Sequence, residues 1–201
     1  MHRLALAFAA ALALAGCATQ PAGPVQVTRF VDAAAQDRLG QGTFFVEAAP
    51  GEEIDAAALL PYKAAVARQL TALGYSEAAS GGAGQVVQVR LAQSIIAPPA
   101  ASRPVSVGVG GSTGSYGSGV GLGIGLNLGG GKPREQLSTR LEVRINDALT
   151  GASLWEGRAL FDVASSALLA DSAQNASVMA EALFREFPGN NGETVEVPVA
   201  D

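Results

Sequence analysis

The sequence predicts an α+β fold: one antiparallel β-sheet with two α-helices packed on one face and a glycine-rich β-hairpin insert. Several segments alternate apolar and polar residues, which is typical of strands with one buried face. Two longer segments place apolar residues at helical spacing. About half of the 25 glycines fall between residues 105 and 131, where small residues separate aliphatic ones. Runs of strands punctuated by two helices favour an α+β domain.

The start of the chain has the layout of a secretory signal peptide. A positive charge at Arg3 precedes the apolar run Leu4–Leu14, and the small residues Ala15 and Gly16 follow. The apolar run is roughly half the length of about 20 residues that a membrane-spanning helix needs. We therefore expect residues 1–16 to be an export signal that is removed.

The single cysteine, Cys17, directly follows that signal. The sequence Leu-Ala-Gly-Cys at residues 14–17 resembles the bacterial lipobox, and the resemblance implies that Cys17 is lipidated and becomes the first residue. Lasting anchoring takes at least two acyl chains, which a lipidated cysteine would supply. Ala18, rather than Asp, implies transport to the outer membrane in Gram-negative lipoproteins. The alternative is that Cys17 is an incidental buried thiol. Residues 17–24 would be the lipidated cysteine and its tether, and residues 25–201 a single domain.

Composition excludes several kinds of site. The only histidine, His2, lies in the predicted signal, and the only thiol would carry lipid. The mature protein would then lack Ser-His-Asp and Cys-His catalytic machinery and zinc sites built on His or Cys. We predict no cofactor, no metal and no enzymatic activity.

The charge balance argues against nucleic acid as a partner. The formal net charge is −5, and the loss of Arg3 with the signal would make it about −6. Such a balance repels nucleic acid and anionic lipid. The expected partners are the membrane through its anchor, and an envelope protein or a second copy of the chain.

The first half of the domain is predicted to contain two strands, a helix and a third strand. Residues 25–30 and 43–46 have strand composition, with a polar loop at 32–41 between them. Between Asp55 and Gly74 an apolar stripe predicts an amphipathic helix with Pro61 in its first turn. Residues 85–95 alternate cleanly, which favours an antiparallel strand over a parallel one.

The second half repeats the strand pattern and adds the second helix. Residues 137–145 and 153–163 alternate on either side of the turn Asp147–Gly151, which predicts a hairpin. A helix is expected from Asp171, a plausible N-cap, to Phe187, where Pro188 and Gly189 end it. Residues 193–198 are predicted to form a last short strand. Trp155 is expected in the core.

The insert at Val105–Gly131 permits three hypotheses. It can be a hairpin lying on the domain's own sheet, a surface for self-association or partner binding, or a membrane-inserted element of an oligomeric barrel. A spanning strand needs roughly 9–11 residues, which only one arm of the insert reaches. A phosphate-binding loop is excluded, because Leu126 and Pro133 stand where its glycine and its Ser or Thr belong.

Carboxylates are the remaining route to hydrolytic chemistry. The candidates are Glu47, Glu52, Glu53, Glu142 and Glu156. A general acid needs a raised pKa from burial near a cleft, and the sequence gives no sign of one. We therefore expect these carboxylates to lie on a solvated surface.

Taken together, the motifs resemble a family of Gram-negative lipoproteins that carry a domain of unknown function. The resemblance rests on the lipobox, the Thr43-Phe44 strand, the helix PYKAAVARQLTALGY, the glycine-rich hairpin, the turn RINDALTGASLWEG and the closing ALFREFPGNNGETVEVP. It implies a location and a fold, but no activity. The function expected is a non-enzymatic, lipid-anchored role in envelope maintenance or assembly through protein contacts. The alternative is a homo-oligomeric, membrane-associated assembly built through the hairpin.

Overall fold

The computed structural model describes residues 22–96 and 135–199. Within these residues the chain forms seven β-strands and two α-helices. The strands are β1 (Val25–Val31), β2 (Thr43–Ala48), β3 (Ser76–Glu77), β4 (Gln85–Ile96), β5 (Gln136–Asp147), β6 (Ser153–Ala164) and β7 (Thr194–Val197); the helices are α1 (Ala56–Ala72) and α2 (Ser172–Phe184). A 3₁₀ helix at Ala33–Arg38 occupies the segment predicted as a polar loop.

The strands form one mixed sheet in the order β3-β2-β4-β5-β6-β1-β7. The prediction of a single antiparallel sheet with two helices on one face is therefore wrong, because β2 pairs in parallel with both β3 and β4. The domain is dominated by its seven-stranded sheet. The inserted hairpin of the prediction falls at residues 105–131, outside the described residues.

The error has a physical cause. Alternation of side chains shows which face of a strand is buried, but it does not show the direction of the neighbouring strand. Strand β2 is followed by helix α1 and, after the two-residue β3, by β4. A helical crossover of this kind brings two strands side by side in parallel. Strand β4 is accordingly antiparallel to β5 on one side and parallel to β2 on the other.

The hairpin of β5 and β6 joins two long strands next to β4 in the sheet. Both strands have 12 residues, and their buried and exposed positions alternate as the sequence predicts. The turn is organised by Asp147, whose Oδ1 accepts hydrogen bonds from the backbone N–H of Leu149 (3.1 Å) and of Thr150 (2.8 Å). Its Oδ2 accepts a bond from Arg38 at 2.8 Å. The carboxylate thus holds the turn and the 3₁₀ helix together.

Helix α1 confirms the predicted amphipathic helix but begins earlier than its proline suggested. Asp55 caps it, because its Oδ1 accepts a hydrogen bond from the Ala57 N–H at 3.0 Å. The helix starts at Ala56, so Pro61 lies in the second turn rather than the first. The buried residues of the helix follow the predicted stripe and include Leu59, Tyr62, Ala65, Val66 and Leu70.

Helix α2 begins at the predicted cap and ends before the predicted stop. The Oδ1 of Asp171 accepts a hydrogen bond from the Ala173 N–H at 3.0 Å. The helix ends at Phe184, and Glu186 two residues later has a left-handed φ of 57°. The chain therefore turns away before Phe187 and Pro188, rather than at them.

The core lies between the helices and one face of the sheet. Trp155 is 1% exposed, stacks on Phe184 with ring centroids 5.3 Å apart, and donates its indole N–H to the Pro188 carbonyl oxygen at 2.9 Å. A polar contact also crosses this layer, since the Tyr62 hydroxyl donates to Asn175 Oδ1 at 2.9 Å. Burial raises the pKa of Tyr62 to about 12, so the hydroxyl keeps its proton at neutral pH.

Candidate functional site

The opposite face of the sheet carries charged side chains and is not covered by either helix. We call it the open face, and it comprises the outward side chains of β1, β2, β4, β5 and β6. Cross-strand neighbours place polar groups in rows across these strands, because residues opposite each other in a pair share a face. One row contains Glu47, Gln88, Arg144, Glu156 and Phe30, and the next contains Arg90, Glu142, Arg158 and Thr28.

A carboxylate held between two guanidinium groups lies on the open face. Arg144, the cross-strand partner of Glu156, donates to its Oε2 from Nη2 at 2.9 Å and from Nε at 3.2 Å. Arg158, two residues further along β6, donates from Nε to Oε1 of the same carboxylate at 2.8 Å. The Arg158 guanidinium also lies 5.3 Å from the ring centroid of Phe30. We call Arg144, Glu156 and Arg158 the trio. It carries one net positive charge, and the exposed aromatic ring of Phe30 lies beside it.

The electrostatics of Glu156 suit an ion pair rather than acid catalysis. Burial acts to raise its pKa, but the hydrogen bonds and charges of Arg144 and Arg158 together outweigh burial and hold the pKa below its ordinary value of 4.5. The carboxylate is therefore ionised at neutral pH. A general acid needs the opposite shift.

The depressed pKa predicts a pH dependence of stability. A group whose pKa is lower in the folded state stabilises the fold above its unfolded-state pKa, and this stabilisation is lost as the pH falls through the folded-state value. As the pH falls below an unfolded-state pKa near 4.5, Glu156 becomes protonated and wild type loses the stability that its ion pairs contribute. The variant Glu156→Gln lacks this carboxylate, so its stability does not change for this reason. The difference between their free energies of unfolding should shrink between about pH 7 and about pH 3, as measured by urea unfolding.

The control for that experiment is Glu53→Gln. Glu53 is exposed and forms no ion pair within residues 22–96 and 135–199. The difference between this variant and wild type should change little over the same pH range. If the Glu156 and Glu53 variants show the same pH dependence, the two arginines do not control the Glu156 carboxylate.

A shallow groove of about 360 Å³ crosses the open face beside the trio. Its lining includes Pro50, Gln88, Arg90, Glu142, Arg144 and Glu156. Arg90 donates from Nη2 to the Pro50 carbonyl oxygen at 2.8 Å, which fixes the loop after β2 at one side of the groove. Gln88 donates to Glu47 Oε1 at 3.0 Å and accepts from Asn146 Nδ2 at 3.2 Å. Gln88, which lines the groove, is thus held in place by polar side chains on the two neighbouring strands.

The structure separates the five candidate carboxylates. Glu142 and Glu156 line the groove, and Glu47 is bonded to Gln88 beside them. Glu52 serves the backbone, accepting from the Leu91 N–H at 3.0 Å and the Ile54 N–H at 3.1 Å. Glu53 is exposed. Two of the five carboxylates, Glu142 and Glu156, therefore line the same groove together with arginine side chains.

Two features predicted from the sequence are not among the residues that the structure describes. Cys17 and the insert at 105–131 lie outside the described residues, so lipidation of Cys17 stays a prediction. The described ranges contain no cluster of three or more His, Cys, Asp or Glu side chains that could hold a metal ion. Among the helices described, none has the length and apolar character to cross a membrane.

Sequence reasoning missed the ion-pair trio, although its signal was present. The residues Arg140, Glu142 and Arg144 alternate with the buried residues of β5, and Glu156 and Arg158 do the same on β6. Setting the two strands in register across their turn would have brought Arg144 opposite Glu156. The exact register depends on an irregularity next to Ile145, which sequence does not reveal.

Comparison with known proteins shows the fold but no family. No protein-family model matches the chain, and no curated protein matches it. A solved PDZ domain protein from Parabacteroides distasonis is similar at a TM-score of 0.50 and 15% identity, covering 87% of this chain. This chain spans only 39% of that protein's length. At this identity the similarity bears on the fold alone.

Two further solved structures are similar at lower scores. They are a PelC dodecamer from Paraburkholderia phytofirmans, at 14% identity, and a single-substitution variant of it, at 15% identity. Each covers 79% of this chain and 97% of its own, at a TM-score of 0.41. At that score the similarity carries no argument about how this chain assembles.

Proposed function

We propose that this protein is a non-enzymatic lipoprotein, anchored through Cys17 on the periplasmic side of the outer membrane, that serves envelope maintenance or assembly by contacting another protein. The proposal joins the lipobox at residues 14–17 to the open face of the sheet. The lipobox supplies the location, and the open face supplies the contact surface.

The single observation that carries the contact role is the arginine-rich open face. Arginine and aromatic residues are enriched where protein interfaces derive most of their affinity. Here Arg144 and Arg158 are already held by Glu156, and Phe30 beside them is 40% exposed. Side chains that are fixed before binding lose less conformational freedom when a partner arrives. The arginine and glutamate side chains of the open face would match a protein surface that places opposite charges against them.

The groove itself supports a contact role over catalysis. It is shallow, it is lined by arginine, glutamine and glutamate, and one of its two glutamates has a lowered pKa. Such a site can bind and orient a polar surface. The lowered pKa of Glu156 suits an ion pair rather than a general acid.

The location is tested by replacing Cys17 with serine. Serine cannot take the thioether-linked lipid, so Cys17→Ser should move the protein from the membrane fraction of the host to the soluble or signal-retaining inner-membrane fraction. Sucrose-gradient fractionation followed by immunoblotting measures this. Thr19→Ser, which leaves residues 14–17 intact, should remain with the outer membrane. An unchanged outer-membrane position of the Cys17 variant would contradict lipid anchoring.

The alternative is a homo-oligomer built through the insert at 105–131. The native mass of the detergent-extracted protein distinguishes the two functions when it is compared with that of a variant in which this insert is replaced by a short turn. An assembly that collapses to a monomer in the variant favours the alternative. Monomers in both cases favour contact with a different protein.

A further inference from the structure

The start of β1 and the ends of β4 and β6 lie at the same end of the domain. We call it the tether end, defined by the start of β1 at Val25, the end of β4 at Ile96 and the end of β6 at Ala164. The register of the antiparallel pairs shows this, since Ile96 lies opposite Gln136, which in turn lies opposite Ala164. Both helices also begin there. Tyr62 near the start of α1 accepts a hydrogen bond from Gln93, three residues before the end of β4, and donates one to Asn175 near the start of α2.

Exposed aliphatic side chains concentrate at this end. In the described part of the chain, six large apolar side chains are exposed, and four of them lie here: Leu60 (61%), Ile95 (58%), Ile96 (47%) and Leu168 (88%). They come from three different elements, namely α1, the last two residues of β4 and the turn before α2. Packing of the domain's own core does not account for exposed leucine and isoleucine side chains on three separate elements.

The predicted lipid anchor joins the domain at the same end. Val25 is eight positions along the chain from Cys17, with seven residues between them. At about 3.3–3.6 Å per residue, the two can be no more than about 29 Å apart. A bilayer that holds Cys17 therefore lies within about 29 Å of Val25. Gln26, next to Val25, lies opposite Leu160, which is closer to the end of β6 than to its start, so the anchor joins the domain closer to the tether end than to the turn at Asp147–Gly151.

The charged side chains at this end favour a lipid surface without net negative charge. The exposed ionisable groups include the carboxylates of Glu53, Asp55, Glu135 and Asp171. Carboxylates do not attract an anionic lipid surface. The apolar side chains therefore fit a zwitterionic surface, in which aliphatic groups enter the boundary between headgroups and acyl chains.

We infer that the tether end rests on the lipid surface, with Leu60, Ile95, Ile96 and Leu168 in the interfacial layer. The inference rests on the proposed anchoring through Cys17 and adds an orientation to it. In that orientation the strands rise from the membrane, so that the side of the sheet, including the open face, is presented to proteins of the periplasm.

The test places an environment-sensitive dye at either end of the lipidated, full-length protein. The variant Leu168→Cys carries an NBD fluorophore at the tether end, and the variant Leu149→Cys carries it at the opposite end. The two sites match well, since Leu168 is 88% and Leu149 is 94% exposed. Each protein is reconstituted into phosphatidylcholine vesicles, with and without lipids bearing a nitroxide on the headgroup. Flotation of the vesicles shows whether the protein is bound.

The dye at residue 168 should shift to the blue and lose most of its fluorescence to the nitroxide lipid, whereas the dye at 149 should change little. Leu60→Cys should behave like Leu168→Cys. Equal quenching at 168 and 149 in floated protein overturns the orientation but not the anchoring. A blue shift at 168 without nitroxide quenching shows that protein covers this end, and likewise overturns the inference. Protein that fails to float overturns the anchoring and, with it, the orientation.

Discussion

Replacing Arg29 with alanine is expected to destabilise the domain by about 3 kcal/mol, because it leaves the end of α2 without its hydrogen-bond donors. Arg29 is 2% exposed. It donates from Nε to the Leu183 carbonyl oxygen at 3.1 Å, and from Nη2 to the carbonyl oxygens of Ala182 at 3.2 Å and Arg185 at 2.6 Å. The last carbonyls of a helix have no partners within the helix, and they form the negative end of its dipole.

The positive charge of Arg29 lies at the C-terminal end of α2, where the helix dipole is negative. Burial lowers its pKa, while Glu186 and Glu193 nearby act in the opposite direction. An arginine has so high an ordinary pKa that the guanidinium remains charged at neutral pH. The methylene groups are also enclosed, since a Cβ added at Gly189 would lie 2.6 Å from Arg29 Cδ. Alanine would thus remove both the donors and the packing.

Urea unfolding followed by circular dichroism measures the loss. The control is Arg185→Ala, whose side chain is 50% exposed and lies 4.0 Å from Glu181. Its effect should stay within about 0.5 kcal/mol, as is usual for exposed ion pairs. Arg29→Lys keeps a charge but loses the forked donors, so it should fall between the two. If Arg29→Ala is no more destabilising than Arg185→Ala, α2 does not depend on this contact.

Replacing Gly157 with alanine is expected to cost about 1–3 kcal/mol, and replacing it with valine should cost more. A Cβ at residue 157 would lie 2.2 Å from Trp155 Cη2 and 2.8 Å from Leu183 Cδ1. Both distances are far below van der Waals contact, so the indole or helix α2 would have to move. The backbone of Gly157 is a regular part of β6, so the expected cost is steric.

The single tryptophan makes this displacement directly visible. The chain contains only one Trp, so its emission reports on Trp155 alone. Gly157→Ala should shift that emission and lower the urea midpoint, whereas Gly81→Ala should change neither. Gly81 has no heavy atom within 4 Å of an added Cβ. Unchanged emission and stability in Gly157→Ala would show that the indole does not pack over this position.

The sequence predicts much of the local structure, because alternation and helical spacing depend on neighbours in the chain. In β1 the period of two placed Arg29 on the same face as Val27, which is the buried face. An arginine at such a position signals a buried partner, but its partners are carbonyl groups more than 150 residues away. No local pattern identifies them.

The direction of strand pairing was the main failure, and part of it could have been avoided. The order of β2, α1 and β4 is the pattern of a parallel crossover unit. Strand β3 could not be foreseen, because it has two residues, both exposed. For the candidate site, sequence indicated the individual carboxylates and arginines. Their assembly into one trio depends on strand register, which is a property of the folded sheet.

Contact between the open face and another envelope protein can be detected by site-specific photo-cross-linking in intact cells. A photoreactive residue at Ala92, exposed on β4 beside the open-face residue Arg140, is compared with one at Ala64, exposed on α1. We expect one discrete adduct with a different protein at residue 92, none at residue 64, and loss of that adduct in Arg144→Glu. Adducts at both positions or at neither, or an adduct of two copies of this chain, would contradict it.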